Sequence, residues 1–340
     1  MLVSGAIIGR MKQISLGLKL STKSTRKREF LGEMERVVPW KVLVQIVEPH
    51  WPKSKTGRPP FSIESMLRIH YMQQWFGLSD PAMEEALHDV PLYLDFSGLS
   101  SGPGRIPDET TILRFRHLLE KHDLAVDMLC VVNDLLQNKG LLLKTGTAVD
   151  ATLIAAPSST KNSSGERDPE MKQSKKGNQW YFGMKAHIGV DAESGLVHTV
   201  QGTSGNVNDV VVANSLLHGK ESVVFADSGY RGTHKRPDAK PGVSWQIARR
   251  PSSRRPFENS GKLGQIIDEI EHLKASVRAK VEHAFRVIKR QFGHTKVRYR
   301  GLAKNTAQLH TLFALTNLWM VRKQLLALDG KVRPLRAKVV

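Results

Sequence analysis

The hydrophobic period of the chain changes near residue 141, and that change divides what it can fold into. Upstream, apolar residues recur at helical spacing; downstream they alternate as in strands. Ser62 precedes a helical stretch over Ile63–Phe76, with apolar side chains at Ile63, Met66, Leu67, Ile69 and Met72. Gly77-Leu78-Ser79 predicts a turn, Asp80 a cap, and Pro81 the first position of a helix running to His88. Pro107 and Asp108 open a third helix over Glu109–Lys121, and a fourth spans Leu124–Asn138 before Gly140. A short helix over 28–38 comes first, followed by a linker with prolines at 39, 49, 52, 59 and 60.

Beyond residue 141, residues 144–155 predict a strand with Val149, Ala151 and Leu153 on one face. Residues 156–178, rich in Ser, Lys, Asn and Gly, read as a loop. Residues 180–190 and 196–202 form a hairpin, 206–218 a helix, and 223–226 and 243–248 two further strands. Residues 262–292 and 303–328 are helical. Hairpin strands that feed a helical crossover into more strands predict an α/β fold: a mixed sheet flanked by helices, preceded by a small all-α region.

The net charge is +19, and its placement is informative. Residues 1–58 carry +8 and residues 278–340 carry +13, leaving −2 for the middle. A near-neutral body with basic ends points to an extended polyanion, nucleic acid above all, rather than to a solubilising surface or a ribosomal or membrane contact. The chain holds no run of about 18 apolar residues and no secretory leader pattern. Its single cysteine, Cys130, excludes a disulfide framework or a multi-cysteine zinc site. A cytoplasmic, nucleoid-associated location is expected. The organisation expected is an unplaced extension (1–22), a helical DNA-binding domain (23–140), a catalytic domain (141–328) and a basic tail (329–340).

Three acidic residues stand out. Asp150 lies mid-strand, where a carboxylate is costly to desolvate unless paired or bound to a metal. Asp227 ends the apolar strand at 223–226, and ligand sites in open α/β sheets gather at strand ends. Glu282 lies on the long helix, where Arg278, Arg286 and Lys289 fall within about 40° of it at helical spacing. Val281, Phe285, Ile288 and Phe292 form a separate apolar stripe on that helix. Three hard oxygen ligands suit Mg²⁺ or Mn²⁺, and two such ions can activate a nucleophile and stabilise a leaving oxygen at a phosphodiester. Arg278 and Lys289 would neutralise phosphate charge. Taken singly, each carboxylate is more readily a cap, a turn residue or part of a solvated face; the case for catalysis lies in their combination.

Secondary candidates are weaker. The turn at 77–80 has helix-turn-helix character, with Arg114 and Arg116 on a later helix as DNA contacts; a plain helical bundle explains it equally well. Lys161, Lys172, Lys175 and Lys176 could touch phosphates or simply solvate a loop. Lys185 and His187 share a strand face and read more readily as a surface pair than as site residues. Asn206, Asn208 and Asp209 look like capping residues, with Asp209 open to a supporting role at the site. Trp180 reads as packing, with base stacking as the alternative. His283 beside Glu282 has no second histidine at zinc-protease spacing.

Several segments resemble transposases of the insertion-sequence-five family. They are Gly146-Thr-Ala-Val-Asp-Ala-Thr-Leu-Ile-Ala-Ala-Pro-Ser-Ser-Thr-Lys161, the run from Arg167 to Asp191, and Ala226-Asp-Ser-Gly-Tyr-Arg-Gly232. Arg278 to Gly293 keeps the family's Arg-x3-Glu-x6-Lys spacing at Arg278, Glu282 and Lys289. The helical part from Gly57 to Leu119 is also similar, and the likeness covers roughly residues 23–325. One departure is Ala275, where the family often has tyrosine. The resemblance implies an RNase H-like fold with Asp150 on its central first strand and Asp227 on a neighbour. It also implies terminal inverted repeats as substrate, cut-and-paste or related strand transfer, and a dimer or higher assembly when two ends are paired. The remaining readings are an RNase H-like nuclease or resolvase, and a non-catalytic DNA-binding protein.

Overall fold

In a computed structural model, residues 24–331 are described apart from 54–57, 101–103, 164, 251 and 253–260. The extension at 1–22 and residues 332–340 of the basic tail lie outside the described residues. Among the described residues no helix is long and apolar enough to cross a membrane.

The N-terminal half is helical, as its period requires: α1 (Arg26–Val37), α2 (Trp40–Val47), α3 (Ile63–Phe76), α4 (Asp80–Asp89), α5 (Pro91–Phe96), α6 (Glu109–Lys121) and α7 (Leu124–Asn138). Ser62 caps α3 by accepting from the Ser65 amide. Ser79, not Asp80, caps α4, and Asp108 caps α6. Two helices were not anticipated. The α2 helix occupies part of the expected linker because Trp40, Leu43 and Val47 are buried, and burial outweighs the proline punctuation. The α5 helix is a single short segment beginning at Pro91.

The second half builds β1 (Thr147–Ala155), β2 (Lys172–Lys176), β3 (Gln179–Asp191), β4 (Val197–Ser204), α8 (Asp209–Val212), β5 (Val223–Ala226), β6 (Ser244–Ile247), α9 (Lys262–Arg286) and α10 (Leu302–Lys331). β3 pairs antiparallel with β1, β4 and β2, whereas β5 is parallel to both β1 and β6. The result is the RNase H-like mixed sheet, with β1 at its centre. β2 corrects the loop expected over 156–178. It forms a two-stranded ribbon with the start of β3, turning at Gly177 (φ +60°), a conformation glycine adopts without strain. Trp180 stands on this ribbon 63% exposed, so it is not a packing residue. The expected helix over 206–218 shortens to α8 and a 3₁₀ turn, Ala213–Leu216. The long helix ends in a π-helical turn, Val287–Gln291.

One face of the sheet packs on α9 and α10. Val281, Phe285 and Ile288 meet Ala148, Ile154 and Ile188 there in a core that continues into α1–α7. A smaller cluster on the other face joins Val149, Val224, Val212, Leu216 and Tyr230. α10 ties the halves together. Its Asn317 donates to Asn133 Oδ1 (2.8 Å) and Val197 O (2.7 Å), and its Gln308 donates to Gln74 (2.9 Å). Gly202 lets it approach β4: a Cβ there would lie 2.1 Å from Thr306 Oγ1.

Candidate active site

The parallel pairing of β1 with β5 matches Thr147 to Val224 and Ala148 to Phe225. Continued two residues, that register brings Asp150 level with Asp227, and the charge of Asp227 acts on the Asp150 carboxyl. Asp227 sits just past the end of β5, and its Oδ1 accepts from the Gly229 amide at 2.8 Å. Asp150 Oδ1 accepts from the Ala151 amide at 2.7 Å.

Burial raises the Asp150 carboxyl to about 6, against the stabilising Ala151 amide; the charge of Asp227 pushes the same way and Arg278 opposes it. Arg278, on α9, is therefore the cation facing the pair. Its Nε is buried without a hydrogen-bond partner among the described residues. Glu282 follows one turn later on α9, exposed to solvent and outside any ion pair among the described residues.

Lys289 lies in the π-helical turn and reaches back to β1. Its Nζ donates to Thr152 Oγ1 (2.6 Å) and Leu153 O (2.9 Å), two to three residues past Asp150. Burial and the nearby Lys176 charge lower its pKa. The arrangement thus sets two neighbouring carboxylates beside Arg278, with Lys289 bonded to the part of β1 that follows Asp150; among the described residues no hydrogen bond or ion pair joins Glu282 to the pair.

The model described as Transposase DDE domain matches residues 142–318, and that described as Transposase domain (DUF772) matches residues 19–118. The chain belongs to the DDE transposase family. It is a DNA transposase, an enzyme of transposition and recombination that takes DNA as substrate.

The transposase spreads the remaining candidates over different surroundings. Lys176 is exposed on β2, and Arg286 is exposed on the last turn of α9. Lys185 and His187 are not a surface pair. Lys185 Nζ donates to Val207 O and to Asp209 Oδ1, both at 2.8 Å, and His187 is fully buried at 2.8 Å from Thr203 Oγ1. Their strand is paired on both edges, by β1 and by β4. Arg114 is exposed on α6. Arg116 is buried, bridging Asp80 (3.0 Å) and Glu120 (2.8 Å) with its guanidinium over the Tyr299 ring. It braces α4 against α6 and presents no face to DNA, a correction to its expected role; only a partner distant in sequence, Asp80, reveals this.

Sequence reasoning missed Tyr230. It is almost fully buried, and its hydroxyl has no hydrogen-bond partner among the described residues. Burial first, then the charges of Asp150, Asp209 and Asp227, raise its pKa well above the usual tyrosine value. Its signals were its place three residues after Asp227 and within the segment Ala226–Gly232. Asp209 also belongs to this neighbourhood, since its charge acts on both Asp150 and Tyr230.

The donor set fits a hard divalent cation. Asp150 and Asp227 crowd two negative charges into a partly buried site with oxygen donors alone, the chemistry Mg²⁺ or Mn²⁺ favours.

Proposed function

We propose that the transposase cuts and joins DNA at the terminal inverted repeats of an insertion sequence, using Asp150, Asp227 and Glu282 to hold two Mg²⁺ or Mn²⁺ ions. The observation that carries the reading is the adjacency of Asp150 and Asp227 on parallel strands, where burial and mutual repulsion leave Asp150 in need of a cation. The ions, when bound, supply activation of water or a 3′-hydroxyl and stabilisation of the leaving oxygen. Glu282 is the movable third ligand, since solvent surrounds it. Arg278 holds charge balance beside Asp150, and Lys289 and Lys176 meet phosphate along the edge of β1 and β2. Beyond the end of β1, Arg167, Arg298 and Arg300 line a groove of about 200 Å³ that extends this basic track.

The motif spacing at Arg278, Glu282 and Lys289 supports placement in the insertion-sequence-five family. We assign residues 23–140 to end recognition, with Arg114 as the exposed contact, residues 141–328 to catalysis, and residues 329–340 to a basic tail. Pairing of two DNA ends calls for at least a dimer, working at the cytoplasmic nucleoid.

The test is strand cleavage and joining on end-containing DNA with Mg²⁺. Asp150→Ala, Asp227→Ala and Glu282→Ala should each slow cleavage by about a hundredfold or more. Wild-type rates in all three would overturn the assignment. Cleavage without joining into a target would point to a nuclease instead. Arg114→Ala should weaken binding across sequences and reduce the salt slope by about one.

A further inference from the structure

At the opposite end of the catalytic strands lies a different set of donors. Thr147 opens β1, three residues before Asp150. His198 is the second residue of β4, and His218 and Glu221 flank the turn that leads into β5. We propose that His198, His218 and Glu221 form a binding site for Zn²⁺ or a similar first-row transition ion, separate from the acidic site.

The geometry supports this. One ligand atom from each residue lies within 4.8 Å of the others. His218 Nε2 is 3.4 Å from Glu221 Oε1, and Thr147 Oγ1 is 3.1 Å from His198 Nε2 and 3.2 Å from Glu221 Oε1. Donors around a tetrahedral ion with bonds of about 2.0–2.2 Å stand roughly 3.3–3.6 Å apart. Small side-chain rotations close the widest gap, and the Thr147 hydroxyl, or a water, takes the fourth position.

The surroundings orient the donors. The His218 and Gly219 amides donate to the Glu221 carboxylate, the latter at 2.7 Å, fixing it in the turn. His198 Nδ1 lies 2.9 Å from Thr199 Oγ1, the outer-shell contact that orients a ligating imidazole. His218 Nε2 is buried and has no hydrogen bond among the described residues. A cation held by its neighbours would take the Nε2 lone pair, with the ring proton on Nδ1 in place of the 3.3 Å bond that Nδ1 accepts from the Lys220 amide.

Two imidazoles and one carboxylate suit zinc-like ions, whereas Mg²⁺ favours oxygen alone. An ion here would pin the start of β1, β4 and the entry to β5. It would fix the register that sets Asp150 beside Asp227 without touching DNA.

The experiment uses the full chain carrying Asp150→Asn and Asp227→Asn, so that the acidic site is silenced. Co²⁺ is titrated and followed by visible absorption, and thermal stability is compared in Zn²⁺ and in Mg²⁺. The expected result is one Co²⁺ per chain with the strong d–d bands of a tetrahedral site, and a melting temperature that rises with Zn²⁺ but not with Mg²⁺. His218→Ala should abolish both responses, and His198→Gln should do the same if the alanine variant fails to fold. Absence of a tetrahedral spectrum in the parent, or a spectrum unchanged in the histidine variants, would overturn the site and leave a metal-free hydrogen-bond network. Because activity is not measured, either outcome is independent of the catalytic assignment.

Discussion

Replacing Asp150 by asparagine isolates the cost of holding the acidic site together. Burial, with the charge of Asp227 adding to it, raises the Asp150 carboxyl to about 6. In the unfolded chain an aspartate titrates near 3.9. Between those values the native state binds more protons than the unfolded state, so stability falls as pH rises. The penalty is absent below the unfolded value and complete above the folded one. A difference of roughly two units corresponds to about 3 kcal/mol. Asparagine keeps the shape without the charge. At pH 8 with EDTA, Asp150→Asn should therefore be more stable than wild type by about 3 kcal/mol, falling to about half of that at pH 5. At about 1.4 °C per kcal/mol for a chain of 340 residues, the melting temperature should rise by roughly 4 °C at pH 8. Calorimetry at both pH values measures it. Saturating Mg²⁺ should narrow the gap, because only wild type gains binding energy. Equal melting temperatures at pH 8, or a gap that does not shrink at pH 5, would refute the argument that Asp150 is held against its own charge.

Other substitutions probe separate parts of the structure. Lys289→Ala should cut DNA cleavage strongly while costing about 1–3 kcal/mol of stability, the worth of its charged bonds to Thr152 and Leu153, as read by cleavage rates beside denaturant melts. Arg116→Ala should destabilise by about 3–5 kcal/mol by stranding Asp80 and Glu120, yet leave DNA affinity per folded molecule unchanged in a binding titration. Gly202→Ala should cost about 1–3 kcal/mol by pushing Thr306 away from β4, measured by urea unfolding.

The helices were the most legible part of the chain. The caps and apolar spacing around Glu109–Lys121 and Leu124–Asn138 mark their ends locally. β2 was illegible because its residues are mostly exposed; ladder bonds to β3 define it, and these leave no apolar alternation. For the site, residue types and spacings singled out Asp150, Asp227 and Glu282, but their relation was not encoded locally. The adjacency of Asp150 and Asp227 depends on a parallel pairing between segments more than 70 residues apart. The same is true of Tyr230, whose hydroxyl gains meaning only from the charges gathered around it.

The thirty residues of α10 have a consequence for anyone who would take the enzyme apart. From Gln308 to Leu318 nearly every side chain on every side of this helix is buried, against the sheet on one flank and the N-terminal helices on the other. A fragment beginning at residue 141 would strip α1 from this helix and leave Gln308, which bonds Gln74, without its partner, favouring aggregation over folding. α10 thus joins the helical half to the sheet that carries the carboxylates as a shared core element rather than a hinge, so the two halves stand or fall as one folding unit.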